Sequence, residues 1–154
     1  MNAYFFDSSA IVKRFSVEIG TSFVINLFKP SAKNIIYVSE IALAEVVSAI
    51  SRQMRGKFLN PPQADKSIQR FRRIFRLRFK KLAVDNGLIE QASFLAEKHF
   101  LRGYDAVQLA SALEVQKTRQ TVGASPIIFV SADNALNQAA QDEGLSVDNP
   151  NNHP

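Results

Sequence analysis

A chain of 154 residues with 46% hydrophobic content and 12 phenylalanines can build one packed core. Having no cysteine, it excludes disulfide stapling, thiolate metal sites and cysteine nucleophiles. Its formal charge of +5 is uneven: residues 52–81 hold eleven of the 19 Lys and Arg against Asp65 alone, leaving a mildly acidic remainder and a basic stripe suited to a polyanionic partner. With no basic leader preceding an apolar segment and no apolar run near the roughly 20 residues that span a bilayer, a soluble cytoplasmic protein is expected.

In chain order, Ala3-Tyr-Phe-Phe6 reads as a short buried strand ending at Asp7, and Ile11, Val12 and Phe15 then fall at helical spacing. A helix over 18–28 closes at Pro30, and Asn34 to Val38 is a second strand. Ser39 is expected to cap a helix running to Gly56, with Leu43, Val46, Val47, Ile50 and Met54 packed on one side and Glu45 among the small residues of the other. After Asn60-Pro-Pro62, a helix over 62–76 places Ile68, Phe71 and Phe75 at helical spacing, so the two helices are expected to form a protruding hairpin.

Leu77 to Val84 alternates as a strand, Asp85 caps a helix that ends near His99, and a further helix opens after Gly103 with Asp105 beside its apolar stripe. Ile127-Ile-Phe-Val130 is the last clear strand. It leads through Ser131-Ala-Asp133 into another helix, and Leu145 to Val147 is expected to form an edge strand. Residues 1–148 read as one domain and 149–154 as a flexible tail. Strands alternating with helices predict an α/β protein, a three-layer α/β/α sandwich around a mainly parallel sheet, whose ligands bind beyond the carboxyl ends of the strands.

Asp7 and Asp133 each end an apolar strand, where such a fold opens a crevice. Singly, each acid has a plain structural explanation: Asp7 and Asp133 as helix caps, Asp105 as a first-turn charge, Glu45 as an ordinary helix glutamate. Gathered together, carboxylates about 4 Å apart repel by roughly 4 kcal/mol at an effective dielectric near 20, so protons or a cation must compensate. Oxygen-only donors, with His99 and His153 remote in sequence, favour Mg²⁺ or Mn²⁺ over zinc. A hard ion that activates water and neutralises phosphate, beside a basic stripe, points to phosphodiester hydrolysis. Phosphate-loop, dinucleotide, zincin and serine-hydrolase motifs are all absent. A receiver- or haloacid-type phosphotransfer site fits less well, because Asp7 is followed by Ser-Ser-Ala rather than a second acid. The Arg-rich stretch is open to a bland reading as a solvated face, with Phe71, Phe75 and Phe79 as core or dimer contacts rather than base-stacking platforms.

The successive segments YFFDSSA, SEIALAEVVSAI, LRGYDAVQLASAL and FVSADNALNQAAQDEGL resemble the PIN-domain ribonucleases, and within them the VapC-like toxins of toxin–antitoxin pairs, over essentially the whole chain. The resemblance implies a Mg²⁺- or Mn²⁺-dependent endoribonuclease, a homodimer and a cognate antitoxin. By position it assigns catalysis and metal binding to Asp7, Glu45, Asp105 and Asp133, the last directly or through water, with Ser9 and Ser131 as supporting hydroxyls. Arg70, Arg72, Arg73, Arg76 and Arg78 are candidate RNA contacts. The alternative is a catalytically silent RNA- or protein-binding module of the same fold, in which the acids serve only as caps.

Overall fold

The computed structural model describes residues 1–56 and 59–154, so Lys57 of the basic segment lies outside the described residues. Among the described residues, five parallel strands, β1 (Ala3–Phe6), β2 (Ile35–Ser39), β3 (Lys80–Leu82), β4 (Ile127–Val130) and β5 (Ser146–Asp148), form one sheet in the order β3-β2-β1-β4-β5. β1 is central, with Phe5 in register with Tyr37 on one side and Phe129 on the other.

Among the described residues, seven α-helices cover the sheet: α1 (Ser8–Val12), α2 (Thr21–Phe28), α3 (Ala42–Arg55), α4 (Pro61–Leu77), α5 (Asn86–His99), α6 (Gly103–Thr121) and α7 (Asn134–Asp142). Alternation of side chains along β1 divides the interior in two. Ala3 and Phe5, with Ile127 and Phe129, face α5, α6 and α7. Tyr4 and Phe6 face α1 to α4, where Ile11, Val24, Phe28, Val46, Ile50, Phe71 and Phe75 pack. Burial on both faces explains why β1 and β4 read as continuous apolar runs rather than alternating ones. The result is the expected α/β/α sandwich.

The chain leaves β1 for β2 on one side and returns to β4 on the other, so the strand order reverses between β1 and β4, the switch point at which parallel sheets open a crevice. Asp7 follows β1 there, and its backbone N–H extends the ladder by donating to the Val130 carbonyl at 3.1 Å.

On the hairpin side, aromatic rings form a connected series. Phe6 meets Phe28 with ring centroids 4.9 Å apart, Phe28 meets Phe79 at 5.4 Å, and Phe71 bridges Phe75 at 5.7 Å to Phe15 at 5.4 Å. Phe71, Phe75 and Phe79 are therefore core residues. Asn60 and Gln63 form a reciprocal capping box at the start of α4.

Several boundaries differ from the sequence expectation, each for a local reason. Ser39 is buried at the end of β2 rather than capping a helix, and α3 begins at Ala42 without a side-chain cap. Its core face is Ala42, Val46 and Ile50, leaving Leu43 and Met54 exposed. Leu77 closes α4, so β3 is only Lys80–Leu82. α2 starts at Thr21 because Gly20 is left-handed at φ 86, and a Cβ there would stand 2.5 Å from the Pro150 carbonyl oxygen. Within residues 149–154, expected as a flexible tail, Pro150 is buried and the His153 ring stacks on Phe23 at 3.9 Å and meets Asp148 at 2.7 Å, while Asn151, Asn152 and Pro154 are exposed.

Because Phe71 has no exposed surface and joins two neighbouring rings, Phe71→Ala is expected to cost about 3–5 kcal/mol in urea unfolding. Arg72→Ala, on the solvent side of the same helix, should stay within about 0.5 kcal/mol. Equal effects of the two would refute this placement of α4.

Candidate active site

Asp7 is a carboxylate with 3% exposure at the end of the central strand, and its burial requires donors for both oxygens. They come from the first turn of α1 and from the loop after β4. Oδ1 accepts from the Ser9 hydroxyl at 2.7 Å and the Ala10 N–H at 3.0 Å, the latter capping α1. Oδ2 accepts from the Ser131 hydroxyl at 2.8 Å. The Ala132 N–H donates to the Ser9 hydroxyl at 3.0 Å, and the Asn137 amide holds the Ser131 carbonyl at 2.8 Å. The start of α1 and the β4–α7 loop are thus stitched together through one carboxylate and two serines.

Glu45 is brought to the same place by the first turn of α3. Its Oε1 accepts from the Gln108 amide at 2.7 Å and the Ser8 hydroxyl at 2.9 Å, while Oε2 makes no hydrogen bond among the described residues. Asp105, in the first turn of α6, and Asp133, which caps α7 by accepting from the Leu136 N–H at 3.0 Å, complete the acidic rim. Arg102 joins them, with Nε 3.2 Å from Asp105 Oδ2 and Nη2 3.8 Å from Asp133 Oδ2.

Asp7, Glu45, Asp105 and Asp133 line one cleft of about 710 Å³, together with Ser8, Ser9, Arg102, Tyr104 and Gln108. The cleft continues along the small residues Ala44, Ser48 and Ala49 of α3 to Arg52. Two of the acids serve as caps and rim together, so capping accounts for their backbone contacts but not for their convergence.

Burial pushes the Asp7 carboxyl up to about 7, against the lowering effect of its hydrogen bonds and with a further push from Asp105. Burial also raises Glu45, with Gln108 and Ser8 opposing and Asp105 adding to the rise. Asp105 is raised by burial, lowered by Arg102 and raised by Asp133. Asp105 therefore stands within electrostatic reach of the other three acids.

The donor chemistry fits a hard divalent cation: oxygen-only, partly desolvated, and with Glu45 Oε2 and Asp105 Oδ1 making no hydrogen bond among the described residues. Among the described residues, no three His, Cys, Asp or Glu side chains form a ready-made metal group in this conformation. The reason is visible in the contacts. Glu45 is drawn to Gln108 and Ser8, Asp7 has three of its roughly four acceptor positions taken by its donors, and Arg102 lies between Asp105 and Asp133.

Arg70, Arg72, Arg73, Arg76 and Arg78 are exposed but do not line the cleft. Arg78 spends one N–H on the Phe28 carbonyl at 2.6 Å. His99 and His153 also lie outside the lining. Sequence reasoning missed Ser8, Arg102 and Gln108. A signal existed for two of them: Arg102 and Gln108 stand three residues before and after Asp105, a helical spacing that places side chains on neighbouring turns.

The family model of the PIN domain matches residues 4–141. No curated protein matches the sequence. Among solved structures, FitAcB from Neisseria gonorrhoeae is similar at a TM-score of 0.61 and 17% identity, over 96% of this chain and 97% of that one. PAE2754 from Pyrobaculum aerophilum aligns at 0.65 and 14% identity, over 98% and 85%. VapBC2 from Rickettsia felis, bound to a DNA fragment from their promoter, aligns at 0.60 and 17% identity, over 96% and 98%. At these identities the likeness is one of fold.

The raised Asp7 carboxyl has a stability consequence. Between pH about 4 and about 7 the folded, metal-free chain keeps a proton that the unfolded chain has lost, so stability falls as pH rises through that window, by up to about 4 kcal/mol. In EDTA, urea unfolding should therefore show wild type and Asp7→Asn close together near pH 4 and the variant more stable by a few kcal/mol at pH 8. A wild type that gains stability across this window relative to the variant would contradict the assignment.

Proposed function

The chain belongs to the PIN-domain family, and on that premise we propose that it is a Mg²⁺- or Mn²⁺-dependent endoribonuclease, the cytoplasmic toxin of a toxin–antitoxin pair. The observation that carries this reading is the convergence of Asp7, Glu45, Asp105 and Asp133 on one cleft at the switch point of the sheet. A silent binding module would have no use for a charge buried as deeply as that of Asp7, which capping alone does not require.

In this reading Asp7, Glu45 and Asp105 would hold the metal, with Asp133 direct or through water. When bound, the ion supplies charge to a phosphodiester and acidity to water for in-line hydrolysis. The chain's own residues prepare the site. Ser9 and Ser131 orient Asp7, Gln108 and Ser8 orient Glu45 with Oε2 free, and the exposed arginines of α4 guide RNA by charge.

The antitoxin partner is supported by the fold shared with a toxin–antitoxin complex from Klebsiella pneumoniae, similar at a TM-score of 0.52 and 18% identity over 84% of this chain and 86% of that one. A homodimer fits the exposed apolar side chains Ile89, Phe94 and Tyr104 of α5 and α6. Among the described residues, no helix is long and apolar enough to cross a membrane.

Purified protein should cut RNA with Mg²⁺ or Mn²⁺ and stop doing so in EDTA. Asp7→Asn should lower cleavage at least about 100-fold with its circular dichroism unchanged, and should abolish growth arrest on expression. Undiminished cleavage by that variant would overturn the reading. Separately, replacing Arg72 and Arg73 together by Gln should weaken RNA binding and reduce the slope of log affinity against log salt by about one for each phosphate no longer neutralised. An unchanged slope would remove these residues from the RNA surface.

A further inference from the structure

Among the described residues, Arg102 is the only basic side chain ion-paired to the acids of the cleft, and it touches two of them, Asp105 and Asp133. Its side chain is 85% exposed, so electrostatic contact rather than packing holds the guanidinium in place. The residue precedes α6 in extended conformation, at φ −64 and ψ 153, and its side chain makes no capping bond. Side-chain rotation alone can therefore withdraw the charge without moving the helix that carries Asp105. Exposed ion pairs of this kind are weak, whereas a divalent ion brings twice the charge to the same oxygens. Once displaced, a planar guanidinium at the cleft rim is suited to a phosphate, which it can grip through two parallel N–H donors.

We propose that Arg102 is a displaceable counter-cation: it holds Asp105 and Asp133 in the metal-free chain, yields them to the divalent ion, and then receives a phosphate of the RNA. This rests on the metal-dependent reading above. The arginine stands in for the ion's charge while the site waits, and becomes a substrate contact when the ion arrives.

The test is Mn²⁺ binding by electron paramagnetic resonance on the full chain, in wild type, Arg102→Gln, Arg102→Lys and Asp7→Asn, followed by RNA cleavage at saturating Mn²⁺. Arg102→Gln should bind Mn²⁺ about three- to tenfold more tightly than wild type, while Arg102→Lys stays near wild type. The KM for RNA should rise about fivefold or more in Arg102→Gln. Equal Mn²⁺ affinity in wild type and Arg102→Gln would overturn the competition, as would equal tightening by Arg102→Lys, because charge would then not be the cause. Tighter Mn²⁺ binding with an unchanged KM would overturn the transfer to phosphate. If wild type binds no Mn²⁺, or Asp7→Asn binds it as well as wild type does, the metal-dependent reading fails and the exchange at Arg102 fails with it, whereas the preceding outcomes overturn the exchange alone.

Discussion

The buried carboxylate of Asp7 is the constraint around which the rest of the site is arranged. A charge at the end of a central strand, closed off from water, demands donors on every side. Ser9, the Ala10 N–H and Ser131 provide them, and in doing so bind the start of α1 and the loop after β4 into one unit. The same burial leaves the charge under-stabilised, with a carboxyl held near neutrality. Rigidity and unsatisfied charge thus come from one placement. The hydrogen bonds fix where the oxygens are, and the desolvation makes an external cation favourable there.

Around that point the parallel sheet does the positioning. Reversal of strand order between β1 and β4 separates the helices above their carboxyl ends, so α1, α3, α6 and α7 approach one crevice from different directions and each brings an acid at or near its first turn. Helix N-termini favour negative charge, which offsets part of the repulsion among the four groups. The small side chains of Ala44, Ser48 and Ala49 keep the wall along α3 low, so the crevice runs on as a trough toward Arg52 instead of closing over the acids.

The parts of this arrangement that follow from local chemistry were legible in the sequence. β1 and β4 are apolar runs ended by Asp7 and by Ser131-Ala-Asp133, and the caps at Asp85 and Asp133 are read from residue type and position. The layered fold followed from alternation of strand and helix. What was not legible depends on tertiary contact. The pairing of Gln108 with Glu45 spans 63 residues and that of Ser8 with Glu45 spans 37, so neither leaves a periodic trace. Leu43 and Met54 sit at helical spacing with the core residues of α3 yet are exposed, because the core that α3 shares with α1 and α4 takes only the narrower stripe through Ala42, Val46 and Ile50. The basic segment was visible as charge, but its distance from the acids depends on how α4 turns its Phe face inward.

The close approach of Gly20 to Pro150 bears on how the molecule comes apart. The last residues lie against the start of α2, through that contact and the stacking of His153 on Phe23, while β5 ties the same stretch to the sheet edge beside β4. Helix α2 belongs to one layer and β5 to the border of the sheet, and they are far apart in sequence. Fraying of the C-terminus therefore strips a face from α2, and loosening of α2 frees the C-terminus. Two segments that would ordinarily be the first to open independently share a single cooperative unit, which raises the opening free energy of both toward that of the core.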